Sequence, residues 1–78
     1  MLFTPFDWPK KLRKLIFAKR RYSPEEINYI IDELITRVDF ITFLALRFNE
    51  DESRFECFGK QEFIKELNSL PLYAYYAY

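Results

Sequence analysis

Ser23-Pro24-Glu25-Glu26 spells a helix start, and the residues behind it dictate most of what the chain can become. The Ser23 hydroxyl can accept from the N–H of Glu26, Pro24 presets the first helical φ, and Glu26 can reach back to the Ser23 N–H. Ile27, Ile30, Ile31, Leu34, Ile35 and Val38 come next, in alternating steps of three and one. That spacing predicts a helix with one continuous apolar stripe, which must be buried against something.

Beyond the stripe the chain admits two readings. Helical spacing can run on through Ile41, Ala45 and Phe48, which makes the chain mostly α with one long central helix. Residues 40–48, however, are dense in β-branched and aromatic side chains, with nothing polar between Thr42 and Arg47. Asn49-Glu50-Asp51-Glu52-Ser53 reads as a turn, and Arg54-Phe55-Glu56-Cys57-Phe58 alternates. The favoured reading is therefore a β-hairpin of 40–48 with 54–58.

Upstream, residues 1–8 read as an extended arm, with Phe3, Phe6 and Trp8 to pin it and Pro5 keeping it out of a helix. Asp7 and Pro9 suit a helix start. Trp8, Leu12, Leu15, Ile16 and Lys19 then recur at helical spacing, which predicts a short basic amphipathic helix over 9–19. Downstream, Gly59 punctuates, and Phe63, Ile64 and Leu67 mark a helix over 60–69 that Pro71 stops. A Tyr-rich tail, 72–78, is left to add an edge strand or to lie over the core. The order α-α-β-β-α predicts one α+β domain over 1–78, a small sheet covered on one face by about three helices.

Bulk and charge bear on function. Nine Phe, six Tyr and one Trp stand in 78 residues beside a single Gly. A domain this short buries only roughly 60% of the surface its unfolded chain exposes. Some rings are therefore expected at the surface, as a contact area for a second copy or another protein, unless the Tyr hydroxyls simply reach water while the rings cap the core. Up to Tyr22 there are seven bases (Lys10, Lys11, Arg13, Lys14, Lys19, Arg20, Arg21) against one acid, Asp7; from Ser23 onward five bases face eleven acids. A formal net charge of zero thus hides a local +6 and a local −6.

The chemistry the chain lacks excludes more than its motifs assign. There is no His, the commonest general base and metal ligand, and one Gly cannot make a phosphate loop. Cys57 is alone, so no internal disulfide and no cysteine zinc site is available; in its apolar run it reads as a small core residue. The acidic turn at 50–52 lacks the alternating oxygen ligands and the glycine of a calcium loop. An enzyme, a metal site and a cofactor are accordingly not expected. No apolar run reaches the roughly 18 residues of a membrane span, and the N-terminus does not read as a signal peptide.

Two segments are left as candidate contact surfaces. The basic segment, Lys10, Lys11, Arg13, Lys14, Lys19, Arg20 and Arg21 with Trp8 and Phe17, could meet an acidic protein, an anionic membrane surface or nucleic acid, where Tyr22, Phe17 or Trp8 could stack on bases. It could also be a solvated face that offsets the chain's own acids. The tail offers Tyr73, Tyr75, Tyr76 and Tyr78, rings that give contact area at modest entropy cost. The reading favoured by these residues is a non-enzymatic protein-binding regulator or inhibitor working in the cytoplasm of a cell or host, with a homodimer as one form. The alternative is a nucleic-acid binder using 10–21. In size and style the chain is compatible with small accessory proteins of phages and mobile elements.

Overall fold

Thr36 cuts the isoleucine stripe in two. The computed structural model describes residues 7–69, which form α1 (Lys10–Ile16), α2 (Pro24–Glu33), α3 (Arg37–Phe48), a 3-10 turn (Glu52–Phe55) and α4 (Lys60–Leu67). Among the described residues there is no strand, so the α+β fold and its hairpin are overturned and the mostly helical alternative fits. The single long central helix of that alternative is in fact two helices, α2 and α3.

The break has a local cause. Thr36 caps α3: its hydroxyl accepts from the Asp39 N–H at 3.2 Å, while Asp39 accepts from the Thr36 N–H at 3.2 Å and from its hydroxyl at 3.0 Å. An N-cap residue is extended, so the helix before it must stop; Leu34, the last residue of that run, is already at ψ 115. The expected capping box opens α2, with Glu26 N–H donating to Ser23 Oγ at 3.2 Å and Ser23 N–H to Glu26 at 2.9 Å. Each such cap contributes about 1 kcal/mol. At its far end α3 closes on Asn49 in the left-handed region (φ 54), one of the few residues that adopts it readily.

Helix α3 reads like a strand because it is covered on several sides. It lies against α1, α4 and the 3-10 turn, and Phe40, Ile41, Phe43, Leu44, Ala45, Arg47 and Phe48 are all buried. A helix enclosed this way loses its polar face, and with it the period that identifies it. It carries two groups of rings. On one side Phe43 meets Trp8 (6.0 Å between centroids) and Tyr22 (6.5 Å). On the other, Phe40 stacks on Phe63 at 5.0 Å, and Phe63, Phe58, Phe55 and Phe48 continue the chain of contacts. The 3-10 turn replaces the second predicted strand because Asp51 accepts from the Ser53 N–H at 2.8 Å and Phe55 must turn inward. Cys57, expected in the core, is exposed beyond that turn.

The core also holds a cation. Arg47 is fully buried, and its guanidinium donates to the carbonyls of Ala18 (2.9 Å), Arg20 (2.9 Å) and Ser69 (3.0 Å), more distantly to that of Leu15 (3.4 Å), and to Tyr22 Oη (2.6 Å). Tyr22 in turn donates its hydroxyl to the Leu15 carbonyl. Desolvation of this order is tolerated only when the charge is well hydrogen-bonded, as these acceptors provide for both terminal nitrogens. The result is mechanical: the segment leaving α1 is tied to the end of α3 and to the end of α4 at one point.

Candidate contact surface

That tie decides what lies at the surface beside it. Leu46, next to Arg47, faces outward, and the segment held by Arg47 brings Phe17 alongside it. Phe17, Lys19, Leu46 and Asn49 together line an open cleft of about 330 Å3. Phe17 is 68% exposed and Leu46 38%; the other large exposed apolar side chains among the described residues are Ile35 (69%) and Val38 (52%). Val38, Thr42 and Leu46 stand at i, i+4 and i+8 on α3, hence on one ridge of the helix. Ile35 precedes the α3 cap, three residues before Val38, and Phe17 shares the cleft with Leu46 at the other end of the ridge. The prediction that the apolar stripe is buried throughout fails here: Ile30 and Leu34 are in the core, whereas Ile35 and Val38 are not.

Among the described residues the aromatic surplus is mostly absorbed. Of the described rings, Trp8, Tyr22, Phe40, Phe43, Phe48, Phe55 and Phe63 are buried, Tyr29 and Phe58 half-buried, and only Phe17 is exposed. Trp8, read as a contact residue, is 3% exposed and belongs to the core beside Phe43. The apolar surface that remains among the described residues is largely aliphatic. Tyr73, Tyr75, Tyr76 and Tyr78, like residues 1–6, lie outside the described residues.

The basic segment divides. Helix α1 buries Leu12, Leu15 and Ile16 and exposes Lys10, Lys11, Arg13 and Lys14. It ends at Ile16, earlier than expected, and no side chain caps its start at Pro9. Lys11 is drawn to the fold, its Nζ 4.4 Å over the Tyr29 ring. Arg20 is committed to Glu26 through two bonds of 2.7 Å. Arg20 and the Ser23 N–H hold the Glu26 carboxyl down to about 2, and the same pairing raises the Arg20 guanidinium. Lys19 lines the cleft and is exposed. Lys10, Arg13, Lys14 and Arg21 make no ion pair with a described residue. The positive face is therefore real but smaller than seven charges.

Among the described residues no three His, Cys, Asp or Glu side chains converge on a point, and no helix is long and apolar enough to cross a membrane. Glu50 of the acidic turn pairs with Arg54 at 2.9 Å. Sequence reasoning missed Ile35, Val38 and Leu46 as surface residues, and Arg47 as a buried one. The available signal was Thr36-x-x-Asp39, a capping box that ends the stripe before Ile35 can be counted in it. No protein-family model matches the chain, and neither a curated protein nor a solved structure matches it.

Proposed function

We propose that the protein is a non-catalytic protein-binding regulator or inhibitor, and that its contact surface is the α3 ridge of Val38 and Leu46, with Ile35 and Phe17 beside its ends and the basic α1 face near Phe17. The observation that carries this reading is the placement of the exposed apolar side chains: scattered single ones need no explanation, whereas Val38 and Leu46 share one ridge of α3 and Leu46 shares an open cleft with Phe17. The flanking cations Lys14 and Lys19 suit an acidic rim on the target and speed encounter with it. A free, exposed thiol at Cys57 suits a reducing compartment such as the cytoplasm of a cell or host.

The test is an affinity capture of the full chain from lysate, with and without nuclease, beside a Phe17→Glu, Leu46→Glu variant. A protein captured after nuclease treatment and lost with the variant is the expected result. Capture abolished by nuclease, with a gel shift that weakens steeply as salt rises, would instead establish the nucleic-acid reading through Lys10, Arg13, Lys14 and Arg21. No capture in either condition removes the proposal.

A further inference from the structure

The α3 ridge is self-complementary. Its two ends differ in charge: Ile35 and Val38 come after Asp32 and Glu33 on the chain, and Leu46 lies with Phe17 and Lys19 in the cleft, with Lys14 one turn before Phe17 on α1. At the base-flanked end the nearest acid, Glu50, pairs with Arg54; at the acid-flanked end Arg37 is turned to the Phe58 carbonyl, to which its Nε donates at 3.1 Å, and its one charge is outweighed by Asp32 and Glu33. Thr42 is the midpoint, four residues from Val38 and four from Leu46, or roughly 6 Å along the axis each way. Its hydroxyl already donates to the Val38 carbonyl at 2.9 Å, so covering it breaks no hydrogen bond to the protein and leaves its methyl to pack.

We propose that the ridge is occupied by a second copy of this chain, in an antiparallel α3–α3 pairing about a two-fold axis at Thr42. Resting on the protein-binding reading above, this names the occupant of the surface when no target is bound. An antiparallel arrangement sets Val38 of each copy on Leu46 of the other, and the acid-flanked end of each on the base-flanked end of the other. A parallel one would bring like charges together. The two-fold closes the assembly at two, because the same ridge serves both sides. With one helix ridge and its ends as the contact, the interface falls in the small class, and the dimer is expected in the micromolar range.

Sedimentation equilibrium on the full chain, over a concentration series reaching about 0.5 mM, reads this directly. The expected weight-average mass climbs from 9.6 kDa toward twice that value, and Val38→Glu, Leu46→Glu keeps it at the monomer while helical circular dichroism stays unchanged. Register is read by oxidative cross-linking in a Cys57→Ser background. Thr42→Cys should link to itself, and Val38→Cys should link to Leu46→Cys but not to itself. A monomer throughout, or a dimer indifferent to the ridge substitutions, overturns the inference. A monomer whose capture of another protein is lost with Phe17→Glu, Leu46→Glu removes the dimer and keeps the functional reading; a monomer whose capture ignores that variant removes both.

Discussion

The guanidinium of Arg47 lies 4.1 Å over the ring of Tyr22 and donates to its hydroxyl at 2.6 Å, so one side chain holds the other by face and by edge. Burial raises the Tyr22 phenol well above the usual tyrosine range, against the pull of Arg47, and the hydroxyl stays protonated to serve as donor to Leu15. Through this pair the end of α1, the connector to α2 and the end of α4 meet the end of α3.

Arg47→Ala is expected to cost about 3 kcal/mol or more, since it leaves a cavity and removes the donor from one buried and three partly buried carbonyls. That is a large part of the roughly 4–12 kcal/mol available to a chain of this length. Tyr22→Phe should cost about 1–2 kcal/mol. The two losses should fall short of additive in a double-mutant cycle read by urea denaturation, because either change breaks the same bond. Independent, additive losses would mean the contact is incidental.

Thr36→Ala should destabilise by about 1 kcal/mol, as should Ser23→Ala. The two sites serve different helices, so the double variant should show the sum within about 0.5 kcal/mol. Thermal melts of the four chains decide it.

Acid should weaken the fold through Glu26. Its carboxyl is held at about 2 in the folded state against an ordinary 4.5, so the folded form favours the ionised group. The stabilisation is fully present above pH 4.5 and is lost as the pH falls toward 2. The pair with Arg20 is well exposed, which keeps the effect small in salt. Glu26→Gln should flatten the fall in melting temperature over this window, and an unchanged slope would refute the assignment.

Asn49→Gly should be neutral or gain up to about 0.5 kcal/mol, while Asn49→Val should lose about 1–2 kcal/mol, because a β-branched residue resists positive φ. Ser substitutions at Phe17, Ile35 and Val38, by contrast, should shift stability by less than about 0.5 kcal/mol each. Larger losses at those three positions would show that they are structural.

Much of the fold is legible in the residues, and the failures share a cause. Ser23 and Glu26 announce α2, and Phe63 and Leu67 mark α4, because each helix keeps a solvated face and so a visible period. Helix α3 is enclosed from several directions, and its sequence is indistinguishable from a buried strand by periodicity alone. Arg47 looks like any surface base, since nothing in sequence tells which cation the fold will enclose. The basic face of α1 is legible from charge; the apolar ridge is not, because Ile35 and Val38 continue the α2 spacing in register although the chain turns at Thr36.

The most direct test is a dilution series tracked by amide chemical shifts, from about 1 mM to about 20 µM. Concentration-dependent shifts should gather at Ile35, Val38, Thr42, Leu46 and Phe17, with the outer face of α4 at Gln61 and Lys65 unmoved. Spectra that do not change on dilution, or changes centred on α4, would contradict the assignment of the α3 ridge as the surface where this protein meets its own kind.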